Sequence, residues 1–139
     1  MVQLIVGNKG KGKTRCLLDK VNSDVKSILG SICYLDKSTK HMFELNNRVR
    51  LICVPDYKIA NTDMFLGFVA GIISQDRDLE QMYFDSFLKI ACLEDKDITD
   101  AVKKLQELSE LFHIDFFISI ALDEAEIPEE LRQYITISL

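Results

Sequence analysis

Short apolar runs alternate with segments of helical spacing along this chain. Six runs rich in branched or aromatic residues predict strands: Val2–Val6, Ser31–Leu35, Val49–Val54, Gln81–Phe84, Asp115–Leu122 and Tyr134–Ser138. These runs are almost continuously apolar instead of alternating, which is typical of strands buried on both faces. Because helical segments lie between them, the pattern predicts an α/β fold with three α/β/α layers around a mostly parallel central sheet.

Three segments between the strands have the apolar spacing of helices. The first is predicted from Thr14 to Leu29, with both Ile28 and Leu29 on its apolar face. The second, Asp63–Ser74, is apolar nearly all round, so we expect a buried helix. The third follows Thr99, and its apolar face consists of Val102, Leu105, Leu108 and Phe112.

Composition and charge limit the classes of protein that this chain can represent. Its 139 residues, 47% hydrophobic and 28% charged, predict a single globular domain over residues 1–139 with enough core to fold without disulfides. A net charge of -5 argues against a surface built for nucleic acid or anionic lipid. Any anion site must therefore be local, and we expect no nucleic acid partner.

Cysteine spacing and the order of the first residues favour a cytoplasmic location. The four cysteines have no zinc-ligand spacing, so we interpret them as buried, reduced thiols: Cys16, Cys33, Cys53 and Cys92. The apolar run Met1–Val6 precedes the first lysines, which is the reverse of a signal peptide. The apolar run Met64–Ile73 is too short to span a bilayer, so no membrane association is expected.

A glycine-rich motif follows the first predicted strand. Residues 7–14, Gly-Asn-Lys-Gly-Lys-Gly-Lys-Thr, satisfy the G-x-x-x-x-G-K-[ST] pattern of the phosphate-binding P-loop. This chemistry needs a buried strand to deliver the loop and a helix whose N-terminus adds its dipole. Both are predicted here, so the motif indicates a nucleoside triphosphate as ligand.

Each residue type in this motif has an expected role toward the nucleotide. Backbone amides should cradle the phosphates, the Lys13 ammonium should bridge the β- and γ-phosphates, and the Thr14 hydroxyl should ligate Mg²⁺. Lys13 is therefore a catalytic candidate as well. The predicted nucleotide-binding residues are Asn8, Lys9, Gly10, Lys11, Gly12, Lys13, Thr14 and Arg15.

Three predicted strands end in an aspartate: Asp36, Asp85 and Asp123. Parallel strands present their carboxyl ends at one edge of the sheet, so these aspartates should gather near the glycine-rich loop. A P-loop is usually accompanied by an acidic residue that holds Mg²⁺ through water. We assign that metal and catalytic role to Asp85; the alternative is that Asp85 merely caps a helix beginning at Ser86.

The chain resembles the P-loop ATPases with a RecA-like (ASCE-type) core. Besides the P-loop motif, residues 31–36 resemble that family's second strand and residues 83–86, Tyr-Phe-Asp-Ser, resemble its Walker B strand. The resemblance implies that Ser119 is a polar sensor of the γ-phosphate. It also implies that the P-loop strand is central, between the strand at Tyr134–Ser138 and the one at Phe116–Ile120, and that the cofactors are ATP and Mg²⁺.

One departure from this family concerns the residue that activates water. RecA-like ATPases commonly carry a glutamate just after the second strand, and the matching position here is Ser38. Asp36, Asp123 or Glu124 are the available substitutes, since activating water requires a carboxylate within hydrogen-bond reach. We therefore expect weak hydrolysis, or hydrolysis that depends on a protein partner or on another copy of the chain.

Two other functions are compatible with the same motif. One is a kinase that transfers the γ-phosphate to a nucleotide or small molecule. The other is a nucleotide-gated interaction module without hydrolysis. The chain is also similar to small bacterial proteins labelled as twitching-motility ATPases, but the acidic and histidine-rich boxes of the pilus motor are missing. That motor function is not carried over.

Overall fold

Strands and helices alternate along the chain. The computed structural model describes residues 1–139. The strands are β1 Val2–Val6, β2 Ser31–Asp36, β3 Val49–Cys53, β4 Leu79–Phe84, β5 Asp115–Ile120 and β6 Ile135–Ser138. The α-helices are α1 Lys13–Asp24, α2 Thr62–Gln75, α3 Phe87–Ile90 and α4 Thr99–Phe112. All six strands therefore lie where the apolar runs predict them, with ends that differ by at most two residues.

The six strands form one parallel sheet in the order β3-β2-β4-β5-β1-β6. This arrangement confirms the predicted α/β fold with a parallel sheet. The expected neighbours of β1 are also confirmed, because β5 lies on one side of it and β6 on the other. However, β1 is second from an edge and not at the centre of the sheet, because β2 and β3 both extend the opposite side.

Helices cover both faces of the sheet, which gives the three predicted layers. On one face, α1 packs against a core that includes Leu17 and Val21 from the helix and Tyr34, Tyr83 and Phe117 from the strands. On the other face, α2, α3 and α4 pack on a larger core formed by the alternate strand residues. This alternation follows from the two-residue period of a strand.

The first helix is shorter than predicted. It ends at Asp24, five residues before Leu29, whose side chain is 98% exposed. The Arg48 guanidinium donates hydrogen bonds to the carbonyl oxygens of Val25 (2.8 Å) and Ile28 (2.9 Å). Because a side chain from another part of the chain occupies these carbonyls, the segment turns toward β2 and does not continue the helix.

The second and fourth helices are less buried than their apolar sequences suggest. In α2, Phe65, Val69, Ile72 and Ile73 are buried, whereas Met64 is exposed, because an outer-layer helix has one face on the sheet. The expectation of a buried helix thus holds for only one face. In α4, Phe112 is 50% exposed, since it is the last helical residue before the chain turns at His113. None of the helices combines the length and apolar character required to cross a membrane.

Candidate functional site

The glycine-rich loop (residues 7–12) connects β1 to α1 at the carboxyl edge of the sheet. Gly12 has a φ of 99° and occupies the position just before the helix, where a side chain would be strained. Its carbonyl accepts the Cys16 backbone N–H at 3.1 Å, which begins the helical hydrogen bonding. The loop therefore turns sharply into α1 and leaves the first amides of the helix free to bind an anion.

Lys13 is the first residue of α1, and it is only 9% exposed. Its ammonium donates a hydrogen bond to the carbonyl oxygen of Asn8 at 3.0 Å. Burial lowers the pKa of Lys13, and the Asp85 carboxylate partly offsets this shift. An ammonium has three donors, and this one forms a single hydrogen bond within the chain. It is therefore able to bind further oxygen atoms at the mouth of the loop.

Asp85 lies immediately after β4 and is buried. Its backbone N–H donates to the Leu35 carbonyl at 2.8 Å, which continues the pairing of β4 with β2. Its Oδ1 atom accepts hydrogen bonds from Thr14 Oγ1 (3.2 Å), Ser119 Oγ (2.9 Å) and the Ser86 backbone N–H (2.9 Å). The predicted residues Thr14, Asp85 and Ser119 are thus in direct contact, although they come from three separate elements.

The second oxygen of this carboxylate has a partner that the sequence did not indicate. Tyr34, on β2, donates its hydroxyl to Asp85 Oδ2 at 2.8 Å. Burial, together with the Asp85 carboxylate, raises the pKa of the Tyr34 hydroxyl well above its ordinary value. Within an apolar run this residue resembles any other core aromatic, and only the adjacency of β2 and β4 shows what its hydroxyl contacts.

Asp36, at the end of β2, is close to Asp85 but does not line the cleft described below. Only 2% of its surface is exposed, and its Oδ1 accepts the Lys37 backbone N–H at 2.7 Å. Burial, and secondarily the negative charge of Asp85, raises the pKa of Asp36 to about 6. Asp36 and Asp85 therefore lie together at the carboxyl edge of the sheet, as predicted from the ends of their strands.

The third predicted aspartate lies beside the loop but outside the cleft. Asp123 is exposed, and its side chain accepts the Ala125 backbone N–H at 3.2 Å to cap a short 3₁₀ helix, Glu124–Glu126. Because β5 ends at Ile120 and not at Leu122 as predicted, Asp123 belongs to the following turn and does not line the cleft. Asp123 follows Leu122, whose carbonyl accepts the Gly7 backbone N–H at 2.8 Å, so it does lie near the loop, but its side chain caps the 3₁₀ helix and does not line the cleft.

The remaining predicted loop residues divide between the cleft and the outer surface. Lys9 and Gly10 line the cleft together with Gly12, Lys13 and Thr14. Asn8 is exposed and contributes its carbonyl to Lys13, and Lys11 is exposed outside the cleft. The Arg15 side chain points away and pairs with Glu44 (3.1 Å) and Asp19 (3.6 Å).

A cleft of about 770 Å³ opens beside the loop and the Asp85 cluster. Residues 86–96 and 119–126 contribute to its lining, with Glu94, Asp95 and Glu126 as acidic groups. The sequence interpretation missed three of its five lysines. The cleft lysines are Lys9, Lys13, Lys37, Lys89 and Lys96. None of them forms an ion pair, so their charge is free for an anionic ligand.

The comparisons with known proteins leave the geometry as the guide to function. No protein-family model matches this chain, and a search of curated proteins found no matching sequence. Within the structure, no group of three or more histidine, cysteine, aspartate or glutamate side chains is arranged to hold a metal ion. The fold and the site define a parallel α/β protein whose carboxyl edge carries a cleft, lined by five lysines and four acidic residues, around a buried lysine and a buried aspartate.

Proposed function

We propose that this chain is a P-loop nucleotide-binding protein of the RecA-like class, which binds Mg-ATP and hydrolyses it weakly or with the help of a partner. One observation carries the proposal: the Thr14 hydroxyl donates to Asp85 Oδ1 at 3.2 Å in a cleft that also contains the buried Lys13 ammonium. In this proposal Thr14 and Asp85 would bind the metal and Lys13 would bind the phosphates, which are the groups that such a protein requires.

The order of the strands supports the same class. In the RecA-like arrangement implied by the sequence resemblance, the P-loop strand has the sensor strand on one side and the last strand on the other. Here β1 lies between β5, which carries Ser119, and β6. The strand that ends at Asp85 follows next to β5, so Asp85 reaches Thr14 across one intervening strand.

The loop and α1 would hold the phosphates. In this proposal the amides of residues 10–15 point at phosphate oxygens, and the N-terminus of α1 adds its dipole. The Lys13 ammonium would exchange its hydrogen bond to the Asn8 carbonyl for bonds to β- and γ-phosphate oxygens. Its lowered pKa reflects a desolvated charge, which a phosphate would compensate.

Thr14 and Asp85 have the donor chemistry that suits magnesium. Mg²⁺ prefers hard oxygen ligands, and it commonly retains waters and binds one or two protein groups plus phosphates. The Thr14 hydroxyl can continue to donate its proton to Asp85 while its oxygen lone pair faces the metal. When bound, the ion would neutralise negative charge on the phosphates. Two protein ligands would be enough for such an ion, so the site does not require a cluster of three or more metal-binding side chains.

Weak or partner-dependent hydrolysis follows from the carboxylates that remain. Asp36 has a pKa of about 6, within the range useful for a general base, but it is buried and outside the cleft. Glu94, Asp95 and Glu126 line the cleft, but none of them is hydrogen-bonded to Thr14 or Asp85. Glu124 lies outside the cleft, and the position expected for a glutamate carries Ser38. A partner chain that supplies a missing group would complete such a site.

Calorimetric titration of Mg-ATP into the purified chain tests this proposal. Lys13→Ala should lower the affinity about 10- to 100-fold, because it removes hydrogen bonds from a charged donor. Lys11→Ala is the matched control, since Lys11 belongs to the same loop but lies outside the cleft. Equal affinities for the two variants would show that the site is assigned wrongly. Phosphate release, measured alone and with added nucleic acid, distinguishes hydrolysis from binding alone.

A kinase is the second candidate, and the cleft lysines favour it. Lys37, Lys89 and Lys96 are additional unpaired cations, which suit a second anionic substrate beside the nucleotide. The discriminating experiment incubates the chain with labelled ATP and a set of small-molecule acceptors. Label on an acceptor without release to water would favour the kinase, whereas bound but intact ATP would favour a nucleotide-gated module. We further propose a cytoplasmic location, which the four free cysteines support.

A further inference from the structure

The hydroxyl of Tyr34 has one hydrogen-bond partner, the Asp85 carboxylate, at 2.8 Å. Tyr34 is completely buried on β2, so its hydroxyl would be costly there without a partner. Building on the proposed Mg-ATP site, we propose that Tyr34 is a positioning residue that fixes the Asp85 carboxylate for magnesium. A phenylalanine would fill the same core without serving this purpose.

The hydrogen bonds around Asp85 are unevenly distributed. Three donors from α1, β5 and the backbone after β4 converge on Oδ1, whereas Tyr34 alone reaches Oδ2. Rotation of a carboxylate about its last torsion is soft, so its plane is set by what both oxygens contact. Tyr34 therefore supplies the only hydrogen bond to Oδ2, and together with the donors on Oδ1 it fixes the plane and the alignment of Oδ1 with Thr14.

The position of the Tyr34 hydroxyl is fixed by the packing of its ring. The ring stacks on Tyr83 of β4, with centroids 5.9 Å apart and planes 15° apart, and Tyr83 stacks on Phe117 of β5 at 4.7 Å. The α1 side chains cover this row of rings. Because Asp85 N–H is bonded to the Leu35 carbonyl, Asp85 is also held next to the residue that follows Tyr34.

Two tyrosine variants test the role of this hydroxyl. In Tyr34→Phe we expect ATP to bind normally in EDTA, while the gain in affinity caused by Mg²⁺ falls about 10- to 100-fold, as for the loss of a hydrogen bond to a charged group. Tyr83→Phe is the matched control, because its buried hydroxyl donates to Gln81 (2.9 Å) and not to Asp85. It should leave both affinities unchanged.

The outcomes separate this inference from the function on which it rests. Normal magnesium enhancement in Tyr34→Phe would overturn the role of Tyr34 and leave Mg-ATP binding intact. An equal loss with and without Mg²⁺ would also overturn it, because the residue would then serve the fold alone. Failure of the unmodified chain to bind ATP at all would overturn the proposed function and the inference together.

A spectroscopic measurement does not depend on the folding of Tyr34→Phe. The chain has four tyrosines and no tryptophan, so ultraviolet resonance Raman spectra report tyrosine hydroxyls directly. Mg-ATP, but not ATP in EDTA, should change the tyrosine doublet of the unmodified chain, and Asp85→Asn should remove that change. Identical spectra in the two ligand states would contradict the proposal.

Discussion

The Thr14 hydroxyl donates a hydrogen bond to Asp85 Oδ1 over 3.2 Å, although the two residues are 71 positions apart in sequence. Thr14 belongs to the first turn of α1 and Asp85 to the end of β4, with β5 between their strands. This contact therefore joins two parts of the site, the start of α1 and the end of β4, that are far apart in sequence. Under the proposed function, substitution of Thr14 or of Asp85 should therefore affect the same property, the change in nucleotide affinity caused by Mg²⁺.

Replacing Asp85 by asparagine should separate metal-dependent binding from metal-free binding. The amide keeps the size of the side chain but removes the charge that faces Thr14 and Lys13. We expect the affinity for Mg-ATP to fall at least about 10-fold, because a charged hydrogen-bonding group is lost, while ATP in EDTA binds as well as before or better. Calorimetry with and without Mg²⁺ measures both values.

Asp123→Asn is the control for this experiment. Asp123 also follows a strand, but it is exposed and lies outside the cleft. Its substitution should leave unchanged the difference in ATP affinity with and without Mg²⁺. If the two asparagine variants respond to Mg²⁺ alike, Asp85 is not the metal-binding carboxylate.

Replacing Asp36 by asparagine should stabilise the fold at neutral pH. Burial raises the pKa of Asp36 from 3.8 to about 6, so between these values the folded chain binds more protons than the unfolded chain. The free energy of unfolding therefore falls as pH rises through this interval, and the penalty is complete above about pH 6. Removing the charge should recover about 1–3 kcal/mol there.

Urea unfolding at several pH values measures this effect. Below pH 3.8 the carboxyl is protonated in both states, so Asp36→Asn and the unmodified chain should be similarly stable. The stabilising difference should appear only as the pH rises toward neutrality. A difference that is constant across the whole range would contradict an origin in ionisation.

Replacing Gly7 by alanine should destabilise the fold where β1 leads into the glycine-rich loop. A Cβ atom at Gly7 would lie 3.0 Å from both Cβ and the carbonyl oxygen of Leu139, and φ is +150°. Relieving this contact requires Leu139 to shift, and Leu139 is held beside β1 by the hydrogen bond from its N–H to the Val6 carbonyl at 2.9 Å. We expect a loss of about 1–3 kcal/mol in the free energy of unfolding, measured in urea.

Gly67→Ala is the matched control for Gly7→Ala. Gly67 is an exposed residue within α2, and a Cβ built there meets no atom within 4 Å apart from the adjacent residues and backbone of its own helix. Alanine should therefore stabilise the helix by about 0.5–1 kcal/mol. The two glycine variants should shift the urea midpoint in opposite directions. A shift in the same direction would contradict the close contact at Gly7 or the open space at Gly67.

Alkylation should distinguish Cys33 from the other cysteines. Cys33 is buried on β2, and burial raises its pKa to about 11, so both access and the thiolate fraction are low. Cys16, Cys53 and Cys92 are partly exposed, so the prediction of four buried thiols is wrong for these three. Mass spectrometry after iodoacetamide treatment should find Cys33 unmodified in the folded chain and modified in urea. Labelling of Cys33 as fast as Cys16 under native conditions would contradict its burial.

Features formed by neighbouring residues were predictable from sequence, whereas features formed between elements were not. The strand at Val2–Val6 and the loop that follows it could be identified because strand, glycines and helix start are contiguous. Lys37 follows β2, whereas Lys89 (in α3) and Lys96 belong to the connection between β4 and α4. Their convergence depends on the adjacency of β2 and β4 in the sheet. The premature end of α1 likewise depends on Arg48, which lies outside that helix.

The position of β1 in the sheet has a consequence for how the site appears during synthesis. The first strand leaves the ribosome before all others, but both of its neighbours, β5 and β6, are among the last segments made. β2, β3 and β4 can pair with one another much earlier. Since contacts distant in sequence form late, the nascent chain should acquire half of its sheet well before it acquires any affinity for ligand.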